Sequence, residues 1–212
     1  MNRRSIVLTT GGVLIGAGAL AAMNRNALTR LALSGRSNDG VNLSSASPEV
    51  PECRLTPEQI EGPFFLSAPV RADIREDRQG LPLELELFIT RKDGCGPVEG
   101  ALAEIWHCDN AGRYSGYPED LSRRPFDTLQ FLAGPNEHVE PVNGKMYLRG
   151  GQFSNAAGSL RFHTILPGWY EPRIPHIHLK VTLAERTAVT TQLYFPESLT
   201  TAIYREHPLY AP

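Results

Sequence analysis

The feature that most constrains the fold is the alternation at residues 83–90, Leu-Glu-Leu-Glu-Leu-Phe-Ile-Thr, which puts four aliphatic side chains on one face. A period of two over this length predicts a strand with one buried face. Short β-biased runs follow at 101–107, 145–153, 159–166, 176–183 and 189–195, with Gly-containing breaks at 143–144, 155–158 and 167–168. Helical patterns are scarce. The sequence therefore predicts an all-β chain, an antiparallel β-sandwich with long loops.

Composition sets the size of the domain and excludes one class of partner. The chain has 212 residues, of which 41% are hydrophobic, enough for one core with an extension. Its 21 basic and 23 acidic residues give a formal net charge of −2, and there is no basic stripe beyond short pairs such as Arg123-Arg124. We therefore expect no nucleic-acid partner.

Residues 1–22 have the pattern of an export signal. Arg3-Arg4 precedes an uncharged stretch that ends with a small-x-small cleavage site at Ala19-Leu20-Ala21. The arginine pair indicates the twin-arginine type, which exports folded proteins. The alternative is a membrane anchor, but the glycines between 11 and 18 favour a signal. Residues 23–50, rich in Ser and Asn, predict a flexible linker before a domain at 51–212. We expect a periplasmic or extracellular protein without a membrane span in the mature chain.

The chain has three cysteines, Cys53, Cys95 and Cys108. An oxidising compartment allows one disulfide and leaves one thiol. Cys95 and Cys108 flank a strand-like run that would hold them roughly 30 Å apart, too far to bond. Cys53 is therefore expected to pair with either Cys95 or Cys108.

The segment His176-Ile177-His178 lies in a strand-like run. Ile177 belongs to its apolar face, so the two histidines project together from the opposite face. Two imidazoles on one strand face form a metal-chelating pair. The alternative is two solvated histidines on an outer face.

Tyrosines on nearby loops favour the metal site. Tyr170 ends a Pro-Gly-Trp-Tyr turn just before the histidine strand, and Tyr114 lies in the Gly-Arg-Tyr-Ser-Gly loop that follows another strand. The histidine strand contains no Asp or Glu, which argues against a two-His-one-carboxylate iron site. Two tyrosines and two histidines instead suit a ferric ion, because a bound trivalent cation lowers the pKa of each phenol.

The chain resembles the intradiol ring-cleavage dioxygenases, the family of protocatechuate, catechol and hydroxyquinol dioxygenases. The resemblance runs from about Leu55 to Pro196, and the cysteine in Trp-His-Cys-Asp at 106–109 is similar to the exported subgroup. Its motifs occur in the family's order: Thr-Pro-Glu-Gln-Ile-Glu-Gly-Pro-Phe at 56–64, Glu-Ile-Trp-His-Cys-Asp-Asn-Ala-Gly-Arg-Tyr-Ser-Gly at 104–116, Pro-Gly-Trp-Tyr at 167–170, Arg-Ile-Pro-His-Ile-His at 173–178, and Thr-Gln-Leu-Tyr-Phe at 191–195.

The resemblance implies a role for each matching position. The metal ligands it implies are Tyr114, Tyr170, His176 and His178, with Fe(III) as the cofactor at one end of the sandwich. Tyr170 would be the axial ligand that leaves the metal when substrate binds. Arg173 would place a cation beside the substrate ring, Gln192 would lie near the same site, and Gly62-Pro63 would form a turn lining the substrate pocket.

The implied activity is insertion of both atoms of O2 into a catechol-type diol, with intradiol cleavage to a muconate-type diacid. The implied partners are this small substrate and dioxygen, and the oligomeric state stays open between a monomer and a homo-oligomer. Two alternatives belong to other classes. One is a zinc-dependent hydrolase using His176 and His178 with a third ligand such as His163, and the other is a non-catalytic exported binding module.

Overall fold

The structure is a computed structural model that describes the backbone of residues 6–15 and the residues at 55–118, 138–170 and 173–210. The predicted linker and most of the predicted signal segment lie outside these residues, as does Cys53. The elements in chain order are β1 (Ile6–Ile15), β2 (Pro82–Arg91), β3 (Leu102–Trp106), β4 (Arg149–Phe153), β5 (Ser159–Ile165), β6 (His176–Leu183), β7 (Arg186–Tyr194) and α1 (Glu197–Glu206).

The strands form two sheets in which every pair of neighbours is antiparallel. One sheet has the order β1-β2-β5 and the other has the order β4-β3-β6-β7. The predicted all-β class is confirmed. Strand β1 falls within the predicted signal segment and pairs with β2; export and cleavage of that segment stay predictions.

The core lies between the two sheets and follows from the alternation in the sequence. Leu83, Leu85, Leu87 and Ile89 of β2 are each 2% exposed or less, and they share one cluster with inward residues of β3, β6 and β7. Burial of each such side chain contributes roughly 1.5–3 kcal/mol. Because side chains alternate along a strand, β3 and β6 turn their remaining residues to the outer face of the four-stranded sheet.

Helix α1 packs through Ile203 into a smaller cluster with Leu81, Leu166 and Tyr210. Within the described part of the chain, no helix is long and apolar enough to cross a membrane.

One of the two predicted cysteine pairings is wrong. Cys108 is a free, buried thiol, whereas Cys95 is disulfide-bonded. Cys108 is enclosed next to the turn at 167–170, where its thiol donates to the carbonyl oxygen of Gly168 at 3.5 Å. The remaining alternative for Cys95, pairing with Cys53, involves a residue outside the described part.

Candidate metal centre

His176 and His178 begin β6 on the outer face of the four-stranded sheet. They are only 2% and 5% exposed, because the loops that follow β3 and precede β6 cover this end of the face. The alternative of two solvated surface histidines is therefore wrong. The sequence pattern correctly predicted that both histidines share one face of the strand. It did not predict that loops bury this face, because those loops come from segments distant in the chain.

The loop after β3 delivers Tyr114 to the same place. Asp109 shapes this loop: its Oδ1 accepts hydrogen bonds from the backbone N–H groups of Ala111 at 2.9 Å and Arg113 at 3.0 Å. Gly112 adopts a φ of +81°, a left-handed conformation that glycine permits at little cost. The tightly bonded turn leaves Tyr114 1% exposed and directed into the covered face.

The turn that carries Tyr170 is packed directly against this loop. The backbone N–H of Gly168 donates to the carbonyl of Asp109 at 2.9 Å. A Cβ on Gly168 would lie 2.5 Å from backbone atoms of Asp109 and Asn110, and one on Gly112 would lie 2.7 Å from the carbonyl oxygen of Trp169. Two glycines thus allow the two tyrosine loops to approach backbone to backbone, which fixes one phenol relative to the other.

The four predicted ligands converge within the distance that one ion requires. The Tyr114 and Tyr170 hydroxyls are 3.3 Å apart, the Tyr170 hydroxyl is 3.4 Å from His176 Nε2, and that atom is 3.1 Å from His178 Nε2. Two atoms that bind one ion at about 2.1 Å, with an angle of about 90–109° between them, lie roughly 3.0–3.4 Å apart. The donor set therefore fits a metal ion, and its role as ligands stays a prediction.

Burial sets the protonation of these groups in the metal-free protein. It lowers the pKa of His176 to about 4 and that of His178 well below its ordinary value, so both imidazoles are neutral at pH 7. Burial also raises the pKa of Tyr114 and Tyr170, so both phenols keep their protons. A cation bound here must displace two phenolic protons, whereas the imidazoles are already neutral and release no net proton.

The two histidine rings are oriented by different contacts. His176 Nδ1 donates to the carbonyl of Ile174 at 2.6 Å, which leaves the lone pair of the neutral ring on Nε2. His178 Nδ1 is buried and has no hydrogen-bond partner among the described residues. Its ring instead lies parallel to the indole of Trp106, with centroids 4.9 Å apart and planes 6° apart. Trp106 thus holds the ring of a site residue in place.

Arg173, the cation that the sequence places near the substrate, lies beside the four donors and is itself held by the side chain of Gln192. The guanidinium of Arg173 donates through Nη2 to Oε1 of Gln192, and Gln192 pairs with His178 across β6 and β7. Gln192 Nε2 donates to the carbonyl of Ile60 at 3.0 Å. Arg173 is also tied to the Tyr170 turn, because its backbone N–H donates to the Tyr170 carbonyl at 2.8 Å.

Tyr194 lies beside Gln192 at the edge of the centre. Its side chain is 44% exposed, and its hydroxyl donates to Gln192 Oε1 at 3.0 Å. Tyr194 pairs with His176 across β6 and β7, so it lies on the outer face. The alternation that directs His176 to the outer face of the sheet therefore also directs Tyr194, its paired residue on β7, to that face.

The turn at Gly62-Pro63 lies against the ring of His178. Gly62 has a φ of +83°, and a Cβ there would lie 3.2 Å from His178 Cε1. The carbonyl of Pro63 accepts a hydrogen bond from the backbone of Val139 at 3.0 Å. The structure thus places the predicted substrate turn next to the imidazole, and the substrate contact itself stays a prediction.

The structure gives no support to the proposed zinc site. His163 lies in β5 of the other sheet, exposed, and does not join His176 and His178. In the described residues, no group of three or more His, Cys, Asp or Glu side chains could hold a metal ion. A centre built on these two histidines therefore depends on the two tyrosines.

Sequence reasoning missed two buried residues behind the centre, Phe64 and Arg149. The ring centroid of Phe64 lies 4.8 Å from that of Tyr114. Arg149 is completely buried. Neither could be found from local periodicity, although an arginine within the otherwise uncharged run 146–160 is an unusual feature.

Comparison with known proteins identifies relatives of one kind. A family model described as Dioxygenase matches residues 60–203. The catechol 1,2-dioxygenase 1 of Acinetobacter lwoffii is 26% identical over 161 residues, which cover 65% of this chain and 45% of that protein. The chlorocatechol 1,2-dioxygenase of Rhodococcus opacus is 26% identical over 166 residues, 66% of this chain and 56% of that protein. The chain thus spans about half the length of these curated relatives.

A solved structure extends the similarity to the fold. The intradiol ring-cleavage dioxygenase from Tetranychus urticae is 32% identical and superposes with a TM-score of 0.63, covering 74% of this chain and 72% of that chain.

Proposed function

Because the chain belongs to the intradiol dioxygenase family, we propose that it binds Fe(III) through Tyr114, Tyr170, His176 and His178 and cleaves a catechol-type diol between its two hydroxyl-bearing carbons. The observation that carries the proposal is a row of two buried phenols and two buried neutral imidazoles, Tyr114, Tyr170, His176 and His178, in which each donor atom lies 3.1–3.4 Å from the next. The chain's similarity to proteins named catechol 1,2-dioxygenase and chlorocatechol 1,2-dioxygenase supports the substrate class.

The overall change balances without any other reactant. The bond between the two hydroxyl-bearing carbons breaks, each of these carbons gains one oxygen atom from O2, and the product is a muconate-type diacid. The diol loses four electrons, and they reduce the one dioxygen molecule. When bound, the ferric ion would withdraw electron density from the diol and so make its ring carbons reactive toward dioxygen.

Tyr170 is suited to take a proton from the diol. Its hydroxyl lies within 3.4 Å of both Tyr114 and His176, and its turn is joined to Arg173. Burial raises the pKa of this phenol, so a free Tyr170 oxygen is a strong base in this environment. A diol that enters the centre gives up its hydroxyl protons, and we assign one of them to the Tyr170 oxygen.

Arg173 supplies the fixed positive charge for the substrate. Gln192 accepts from its guanidinium, and Tyr194 also donates to Gln192, so the cation is held at the rim of the centre. Negative charge that develops on the ring and its oxygens lies within reach of this guanidinium in the proposed complex. A preorganised donor of this kind typically contributes about 10²–10³ in rate.

The test is the fate of labelled oxygen. The iron-loaded protein is mixed with catechol under isotopically labelled dioxygen, and the product is analysed by mass spectrometry. We expect a muconate-type diacid with one labelled atom in each new carboxyl group. Arg173→Gln should lower kcat by about 10²–10³. Arg161→Gln, an exposed arginine of the other sheet, should leave kcat unchanged. A product with no label, or equal rates for both variants, would refute the proposal.

We also propose that the protein is exported by the twin-arginine route. The disulfide at Cys95 supports export, because disulfides form and persist in oxidising compartments. Replacing Arg3 and Arg4 by lysines should leave the protein in the cytoplasm of a bacterial host, whereas the unaltered chain should be recovered outside it. Equal distribution of both forms would contradict the assignment.

A further inference from the structure

Arg149 lies on the same covered sheet face as His178, two strands away from it. It begins β4 and pairs with Trp106 of β3, which in turn pairs with His178 of β6. Directly paired residues share a face of a sheet, so these three side chains lie in a row on the covered outer face. Arg149 has no exposed surface.

Three hydrogen bonds join its guanidinium to two segments of the site. Nε donates to Ser115 Oγ at 2.8 Å, and Nη2 donates to the Ser115 carbonyl at 3.0 Å. Nη1 donates to the carbonyl of Phe64 at 2.7 Å. One planar group thus connects the loop that carries Tyr114 with the end of the Gly62-Pro63 turn.

Both bonded segments hold the same phenol. Ser115 is the residue after Tyr114, so two of the hydrogen bonds fix the backbone next to that side chain. The ring of Phe64 packs on the other side of Tyr114 and also contacts Tyr117, in each case with centroids 4.8 Å apart. Tyr114 is therefore constrained through its own backbone and through its aromatic neighbour, and both constraints originate at Arg149.

The charge of Arg149 has no carboxylate partner among the described residues. Its guanidinium lies over the ring of Tyr117, 5.9 Å from the centroid, and burying a charge without an opposite one is costly. An apolar side chain of similar size would fill the space at lower cost, but it would leave the carbonyls of Ser115 and Phe64 without a donor. The three directed bonds are what only this side chain supplies.

We propose that Arg149 is a positioning residue for Tyr114, which holds the phenol at the distance from the Tyr170 hydroxyl that metal binding requires. This inference rests on the proposed function. It concerns the geometry of one ligand, and Arg149 itself touches neither substrate nor metal.

The test compares variants of the iron-loaded protein. Arg149→Lys keeps the positive charge, but a single ammonium cannot reproduce the fork that bonds Ser115 and Phe64. Ser115→Ala removes only the Oγ acceptor. Arg161→Lys is the matched control, since Arg161 is an exposed arginine of β5 bonded to Glu84 and Glu86. The measurements are the dissociation constant for Fe(III) by chelator competition, the visible absorption band, and the circular dichroism of each variant.

We expect Arg149→Lys to bind Fe(III) about 10- to 100-fold more weakly than the unaltered chain, with a weaker or shifted visible band. Ser115→Ala should show a smaller change in the same direction, and Arg161→Lys should show none. A purely structural role would lower thermal stability and leave the band of the folded fraction where it is.

The outcomes separate this inference from the proposed function. If the unaltered chain shows no visible band with Fe(III), the proposed function fails before the variants are considered. If the unaltered chain has the band and a folded Arg149→Lys keeps both band and affinity, the inference alone is overturned. Should Arg149→Lys not fold, Ser115→Ala decides: unchanged affinity and band in that variant overturn the inference.

Discussion

Replacing Gly168 by alanine tests how closely the two tyrosine loops must approach. A Cβ at this position would lie 2.5 Å from the Asn110 carbonyl group and from the Asp109 carbonyl oxygen, whereas ordinary contacts begin at 3.4 Å. These are backbone atoms of a hydrogen-bonded turn, so no flexible side chain can move aside. Relief of the overlap requires the 167–170 turn to move by about 1 Å.

The expected cost has two parts. Overpacking of this kind lowers the free energy of unfolding by about 1–3 kcal/mol. Tyr170 is two residues from Gly168, so a displacement of about 1 Å carries its hydroxyl away from Tyr114 and His176. A misplacement of that size in a catalytic group costs about 100-fold in rate.

Urea unfolding gives the first quantity, and oxygen uptake with catechol gives the second. Gly144→Ala is the control, because a Cβ on Gly144 would meet nothing within 4 Å. Both stability and kcat of that variant should equal those of the unaltered chain. If Gly168→Ala behaves like Gly144→Ala in both assays, the close contact of the loops does not fix the site.

Three further changes test the core, the acid sensitivity and the histidine stack. Leu179→Ala should lower the free energy of unfolding by about 2–5 kcal/mol in urea titrations, since Leu179 is completely buried between the sheets; the exposed Val142→Ala should change it by less than about 0.5 kcal/mol. Burial lowers the pKa of His107 from 6.5 to about 4, so the unfolded state binds more protons between these pH values, and this residue alone should lower the stability by about 3 kcal/mol as the pH drops from 6.5 to about 4. His107→Gln should flatten that slope in unfolding titrations at several pH values, and an unchanged slope would contradict the assignment. Trp106→Leu should weaken Fe(III) binding by about 10-fold or more in chelator competition, because it removes the ring that orients His178, while Trp106→Phe should lose less.

Local patterns in the sequence predicted the strands β2 to β7, though not β1, and the orientation of the histidines. The period-two alternation gave the buried face of β2, and the same rule placed His176 and His178 together on the opposite side from Ile177. These features depend only on neighbours in the chain, so they are visible without knowledge of the fold.

Features that depend on distant contacts were not predictable. In the predicted run 145–153 the strand begins only at Arg149. The preceding residue, Leu148, adopts a φ of +57° and donates its backbone N–H to the carbonyl of Ile74 instead of to a neighbouring strand of the sheet. The link from Arg149 to Phe64 joins positions 85 residues apart. Nothing in the segment around Arg149 reveals that partner, since it is the packing of the loops over the sheet that brings the two together.

The central claim is that Tyr114, Tyr170, His176 and His178 together bind Fe(III), and the most direct measurement is a visible spectrum of the ferric-loaded protein before and after anaerobic addition of catechol. We expect a ferric tyrosinate band that weakens in Tyr114→Phe and in Tyr170→Phe and shifts to longer wavelength when the diol binds. A protein that stays colourless after ferric loading, or keeps its full band in both variants, would contradict the assignment.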